Sequence, residues 1–229
     1  MWQQNISMDK IVANGHVLCY AAKWYGEKGT HFESVQRGNT KEMLVTVHGL
    51  LDDADAVVHY NGANFDIPTL NKEFITHNMK PPAPYKQVDL LSVVRDKFRF
   101  PINKLDYVAQ TLGLGQKTRH PGFQMWVDCM ARKRDAWKKM EEYNRQDVLL
   151  LEKLYDRLKP WVRNHPNVGA FDPEDIEKCP NCGSKHLQKR GTAVTRDVRY
   201  QRYQCGSCGA WSRGKKAISR AKASLVGLS

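Results

Sequence analysis

Residues 55–70 read DAVVHYNGANFDIPTL, and three kinds of local structure meet in them. Asp55–Tyr60 is a short β-branched run of the sort that forms an inner strand. Asn61–Asn64 is polar and contains a glycine, so the chain turns there. From Ile67 to His77 the apolar residues recur at helical spacing. Pro68 falls in the first turn, where an N–H has no intrahelical partner and its loss costs little. Strand, turn and helix in this order form the unit of layered α/β domains. Asp66 stands where the turn meets the helix. An acid there is ordinarily a cap, but strand ends in α/β folds also hold ligands of catalytic metals.

Upstream of that stretch, His16–Trp24 is apolar and predicts a buried strand. Thr30–Gln36 alternates and predicts its partner, with the turn at Gly26–Gly29 between them. A helix is expected from about Thr40 to Leu51. Downstream, Val88–Phe98 and Lys104–Leu112 read as helices, the second ended by Gly113 and Gly115. Trp126–Met130 belongs to a short helix, and Asp135–Leu158 forms one long helix stopped by Pro160. In that long helix Tyr143 and Asp147 are four residues apart and share a face. Val148–Leu151 is entirely apolar and pins that turn to a core. Such a pair is commonly surface decoration. A carboxylate at the edge of so apolar a stretch nevertheless needs a counter-charge, and a divalent metal supplies one.

The chain has 229 residues, of which 41% are hydrophobic, enough for a folded core and one small further module. No apolar run reaches the ~18–20 residues of a membrane span. The N-terminus MWQQNISMDK lacks the basic-then-apolar profile of a signal peptide, so a soluble cytoplasmic protein is expected. The net charge of +12 is unevenly spread. Residues 176–229 hold twelve Lys/Arg against Glu177 and Asp197, so ten of the twelve surplus charges lie in the last quarter. A basic module of this kind suits a polyanion, of which nucleic acid is the commonest, while a merely solvated tail is the plain reading.

Four of the six cysteines form two knuckles, Cys179-Pro-Asn-Cys182-Gly and Cys205-Gly-Ser-Cys208-Gly. Two residues between cysteines let both sulfurs reach one ion, and zinc takes four thiolates tetrahedrally. Redox-active pairs or an iron site would use the same spacing. Ala193–Gln204 has strand character and could form a hairpin between the knuckles. The segment resembles the zinc ribbons of nucleic-acid enzymes and transposase-like proteins. Lys185, Lys189, Arg190, Arg196, Arg199 and Arg202 suit phosphates, and Tyr200, Tyr203 and Trp211 suit either base stacking or the ribbon's own small core. Cys19 and Cys129 stand alone in apolar or helical surroundings and read as small buried hydrophobes.

Taken in order, Asn61-x-x-x-Phe65-Asp66 and Tyr143-x-x-x-Asp147 resemble the second and third motifs of the DEDD 3′–5′ exonucleases, tyrosine subtype. Val88-Asp89-Leu90-Leu91 and Lys104–Ala109 look like that family's linking helices. The resemblance covers about residues 10–160 and is nearest to stand-alone, B-polymerase-like exonucleases of phage and bacteria. It implies an RNase H-like mixed sheet flanked by helices, and two Mg²⁺ or Mn²⁺ ions held by carboxylates. Asp66 and Asp147 would be metal ligands, Tyr143 would orient the attacking water, and Asn61 would shape the site or hold the terminal nucleotide. Phe65 reads as core. Single-stranded DNA 3′ ends would be the substrate, in a bacterial cell or in host cytoplasm for a phage protein.

The family's first motif, Asp-x-Glu on a central strand, has no counterpart before His16. The expectation is therefore an RNase H-like α/β domain lacking its first strand, with a gap or irregular pairing in the sheet. The expected layout is that domain over residues 1–163, a linker over 164–176, a β zinc ribbon over 177–214 and a basic tail, helical or frayed, over 215–229. With two of four carboxylates, the chain alone is expected to be nearly inactive, and a separately encoded N-terminal fragment is one way to complete it. The competing expectation is a non-catalytic zinc-ribbon nucleic-acid-binding protein with a degenerate exonuclease domain.

Overall fold

The computed structural model describes residues 15–117, 122–171 and 177–220, with the side chain of Phe171 left aside. Its contacts divide into two units, Met1–Asp89 with Lys104–Glu152, and Leu90–Asn103 with Lys153–Ser229.

In the first unit β1 (Cys19–Ala22) and β2 (His31–Ser34) form an antiparallel hairpin, with Cys19 opposite Ser34. α1 (Thr40–Asp52) follows. It begins at a capping box: Asn39 accepts from the Glu42 N–H, and the Glu42 carboxylate reaches back to the Asn39 N–H. β3 (Ala56–His59) pairs in parallel with β4 (Lys86–Asp89), and α2 (Asp66–Thr76) lies between them in sequence. Val88 and Asp89, expected to open a helix, belong to β4. The pairing of β4 with β3 decides this, and the helix α3 (Leu90–Lys97), which is counted in the second unit, starts only after it. α4 (Leu105–Thr111), α5 (Phe123–Met130) and α6 (Arg134–Leu158) fall close to their expected places. Gly113 and Gly115 end α4 with φ of 69° and 119°, values that an L side chain resists.

Among the described residues, the mixed sheet consists of two separate two-stranded pieces, β1–β2 and β3–β4. The first core gathers Leu44, Val47, Leu51 and Phe74 from α1 and α2, with Tyr20 of β1 and Val57 of β3 against them. A second gathers Met125, Cys129, Trp137 and Met140 from α5 and α6, with Leu18, Cys19 and Tyr143 packed on it. Cys129 is buried and Cys19 half-buried. Burial and the nearby Cys129 push the Cys19 thiol up to about 12, as suits inert packing residues. The β1–β2 hairpin is tied to α6 by polar contacts. Glu152 accepts from Lys23 Nζ at 2.7 Å and from the Gly26 N–H at 3.0 Å. Arg37 meets Glu141 at 2.5 Å, and Arg145 bonds Thr30.

In the second unit β5 (Leu187–Thr195), β6 (Val198–Cys205) and β7 (Trp211–Arg220) form an antiparallel sheet in the order β5-β6-β7. β7 corrects the expectation of a helical or frayed tail from 214, because residues 214–220 continue its strand. Pairing with β6 supplies hydrogen-bond partners that the isolated basic sequence does not advertise. Val168–Phe171 forms a 3₁₀ turn within the segment expected as linker. The Val168 N–H donates to Pro180 O at 2.8 Å, and Asn181 donates to Lys159 O at 2.7 Å. Residues 172–176 and 221–229 of the expected linker and tail lie outside the described residues. Among the described residues no helix is long and apolar enough to cross a membrane.

Candidate active site and metal centre

The turn after β3 is built around two backbone groups. Gly62 O accepts from the N–H groups of Phe65 (3.2 Å) and Ile67 (2.9 Å), and Asn61 sits at φ 67°, a left-handed value that asparagine tolerates. The Gly62 N–H donates to His59 Nδ1 at 3.0 Å, which fixes the tautomer. The proton is then on Nε2 and donates to Gln87 Oε1 at 3.0 Å. The Asn61 N–H donates to Asp89 Oδ1 at 2.8 Å. A Cβ on Gly62 would meet the His59 ring at 2.8 Å and its Cβ at 2.9 Å, so only glycine fits there without a shift. The ends of β3 and β4 thus hold the turn that carries Asn61 and Asp66. Sequence reading missed His59, Gln87 and Asp89 as supports of this turn. The signal for them was the parallel pairing of β4, which spacing along one strand does not reveal.

Asp66 is the first residue of α2, exposed at the helix start. The cap position belongs to Phe65, and no side chain caps this helix. The carboxylate is therefore not consumed as a cap, and among the described residues it makes no hydrogen bond or ion pair. Phe65, expected in the core, is 58% exposed. Placing it at the N-cap, outside the helix's apolar stripe, accounts for the difference. The Asn61 side chain accepts from Asn64 Nδ2 at 2.9 Å.

Tyr143 and Asp147 sit on one face of α6 and share a cation. Lys117 Nζ lies 2.5 Å from Asp147 Oδ2 and 3.2 Å from the Tyr143 hydroxyl, and 5.3 Å from the Tyr143 ring centroid. Asp147 Oδ1 is buried with no hydrogen-bond partner among the described residues. Burial opposes the charge on Lys117, but its bond and attraction to Asp147, with Tyr143 adding to them, hold its pKa above the ordinary lysine value. Burial and the Asp147 charge push the Tyr143 hydroxyl up. Lys117 was not legible from sequence. It lies in the loop after Gly115, with no periodicity to mark it, and its N–H donates to Asp106 Oδ1 at 2.7 Å. Among the described residues no hydrogen bond or ion pair joins Asp66 to Asp147. A hard cation would suit Asp147 Oδ1, because a buried oxygen left without a partner is costly.

The cysteine module is fully gathered. The four sulfurs of Cys179, Cys182, Cys205 and Cys208 lie within 4.8 Å of one another, with Cys179–Cys208 and Cys182–Cys205 each at 3.7 Å. A tetrahedral ion with bonds of ~2.3 Å requires sulfurs ~3.8 Å apart, so the cluster fits one zinc of a small ribbon. Each knuckle closes in the same way. Gly183 and Gly209 adopt φ of 72° and 81°, and donate to Cys179 O (2.8 Å) and Cys205 O (3.0 Å). Cys179 N–H donates to Ser184 O and Cys205 N–H to Ala210 O, both at 2.9 Å. The hydroxyls of Ser184 and Ser207, 2.7 Å apart, join the two knuckles. Burial raises the Cys208 thiol, with Cys182 and Cys179 adding to it. At Cys205 burial is outweighed by N–H groups of Cys208 and Ser207, which hold it down to about 6.

The basic residues named from sequence, Lys185, Lys189, Arg190, Arg196, Arg199 and Arg202, are all exposed. Trp211 is 52% exposed and Tyr200 half-buried. Tyr203 is buried, and its hydroxyl donates to Glu177 at 3.2 Å, so it belongs to the ribbon's core.

A family model described as the RNase H superfamily matches residues 13–159, well over half the chain. No curated protein matches it.

Proposed function

The chain belongs to the RNase H superfamily, and from that premise we propose that it is a metal-dependent 3′–5′ exonuclease acting on DNA 3′ ends, with the ribbon binding nucleic acid. The observation that carries this reading is Asp147. One of its oxygens is buried without a hydrogen-bond partner among the described residues and the other is bound by an ammonium, beside a tyrosine hydroxyl. Mg²⁺ or Mn²⁺ there would supply Lewis acidity and an activated water. Asp147 and Asp66 offer the carboxylates for it. Tyr143, which shares Lys117 with Asp147, would orient the water. Asn61, at the head of the turn before Asp66, would contact the terminal nucleotide. Lys117 must leave Asp147 Oδ2 before that oxygen can ligate an ion.

Two carboxylates are a thin set for paired ions, which need dense negative charge. That scarcity, with a lysine already neutralising one of them, favours a second reading: a nucleic-acid-binding protein in which the ribbon acts and the α/β unit does not catalyse. The deciding assay follows release from 3′-labelled single-stranded DNA in Mn²⁺ by the chain and by its Asp66→Ala and Asp147→Ala variants. Release abolished by both substitutions establishes the exonuclease. Binding without release establishes the second reading. Release indifferent to both substitutions overturns the assignment of these residues.

A further inference from the structure

The ribbon sheet has two faces of different chemistry. The irregularities in its ladders add residues to β5 and β7 and leave β6 regular. Side chains along β6 therefore alternate, with Tyr200, Arg202 and Gln204 on one face and Arg199, Gln201 and Tyr203 on the other. On β7 Arg213 lies opposite Arg202, and Trp211 opposite Gln204, so both share the first face. The guanidinium of Arg202 lies 4.9 Å from the Trp211 ring centroid, and that of Arg213 lies 4.1 Å from the Tyr200 centroid. The face thus carries a row in the order Trp211, Arg202, Arg213, Tyr200.

Two like charges directly opposite each other weaken a sheet unless something compensates. No carboxylate does so among the described residues. Glu177 takes the Tyr203 hydroxyl, and Asp197 takes Arg220 at 3.6 Å. Arg202 donates its Nε to Arg190 O, and Arg213 donates to Gly214 O, both backbone carbonyls that leave the positive charge unneutralised. The missing partner must carry anionic groups for the centre of the row and flat faces for its ends. Single-stranded nucleic acid has both, whereas a duplex keeps its base faces inside the stack. Four residues of β6 separate the Tyr200 position from that opposite Trp211, about 13 Å, or roughly four 3.4 Å nucleotide rises.

We propose that this face seats a single strand, with phosphates on Arg202 and Arg213 and bases stacked on Trp211, Tyr200 or the guanidinium planes. The proposal rests on the ribbon's reading as a nucleic-acid-binding module. It adds the face, the strand state and Arg213. The test uses the full zinc-loaded chain and fluorescence anisotropy, with a labelled oligothymidylate of about 15 nucleotides and the same strand annealed to its complement. The single strand is expected to bind about tenfold more tightly than the duplex. Trp211→Ala should weaken single-strand binding about tenfold and leave duplex binding unchanged. Arg202→Gln and Arg213→Gln should each reduce the slope of log affinity against log salt by about 0.7. Lys41→Gln, an equal loss of charge on α1 outside the ribbon, should leave that slope unchanged. Zinc content of one per chain in every variant establishes that the ribbon is intact. If the chain binds neither probe, the broader reading of the ribbon falls with the proposal. If it binds both probes equally, and Lys41→Gln is as damaging as Arg202→Gln, the chain still binds nucleic acid but the row is not the seat.

Discussion

The cysteine cluster and the Asp147 corner are both cation sites in character, yet they are assembled in opposite ways. Each half of the cysteine cluster is made within six residues, closed by its own glycine and N–H groups, and the four sulfurs lie within 4.8 Å of one another. The Asp147 corner draws on Tyr143 and Asp147 of α6 and on Lys117 from a loop with no motif to mark it, and an ammonium of the chain itself is bound to Asp147 Oδ2. The first is organised by local turns and the second by tertiary packing. A locally organised site should bind its ion as part of folding, and a packed site should bind it by exchange.

The sharpest way to break that contrast is to remove sulfurs. The double variant Cys179→Ser, Cys205→Ser should take zinc content, measured by elemental analysis, from one per chain to near zero. Structural zinc contributes on the order of 10 kcal/mol to folding such modules, so limited proteolysis should then cut freely within 179–220 while residues of the first unit stay protected. Zinc retained by the double variant would mean that other ligands hold it.

A medium effect is expected at the turn that carries Asp66. Gly62→Ala drives a Cβ into the His59 ring, which Gln87 and the Gly62 N–H hold in place. The expected loss is about 1–3 kcal/mol, read as a lower Tm with zinc content unchanged. An unchanged Tm would show that the ring yields and that the turn is looser than described.

Lys117→Met tests the exchange idea directly. Removing the ammonium should raise Mn²⁺ affinity measured by calorimetry, because the ion no longer competes for Asp147; unchanged affinity would show that Lys117 does not occupy the ion's place. The pH dependence has a definite sign. Lys117 and Tyr143 both have folded pKa values raised above their ordinary ones. For both groups the associated stability is fully present below the unfolded pKa and is lost as pH rises through the folded one. Denaturation midpoints should therefore be unaffected by these groups near neutrality and fall above about pH 10, less steeply in Lys117→Met. The smallest effect is expected for Asn61→Gly. Glycine accepts φ of 67° without strain, so stability should change by only a few tenths of a kcal/mol. Any change in DNA release or binding would then report on the asparagine side chain alone.

The same contrast explains what could be read from sequence. The cysteine ligands were legible because their geometry is set by two-residue spacing and a following glycine. Tyr143 and Asp147 were legible because four residues on a helix share a face. Lys117 was not, since nothing near it in sequence says that its loop returns to α6. Lys86–Asp89 was read partly as helix because KQVD has one apolar residue and its strand character comes from β3, some thirty residues earlier. Residues 215–220 of β7 read as a tail for a related reason. WSRGKKAISR is too basic to announce a strand, and only its ladder to β6 makes it one. Where the partner is close in sequence the chain states its structure, and where it is distant only the folded sheet does.

The two knuckles repeat one another at a constant offset: Cys179 and Cys205, Cys182 and Cys208, and Gly183 and Gly209 occupy equivalent places with equivalent hydrogen bonds. Cys179 lies 3.7 Å from Cys208 and Cys182 lies 3.7 Å from Cys205, so each half meets the other through the same pair of sulfur positions. An ion there meets two halves of the same local shape. Cobalt substituted there should display the absorption of one uniform tetrahedral centre, and exchanging residues 179–184 with 205–210 should leave that spectrum in place, because each half offers the same turn and the same two thiolates.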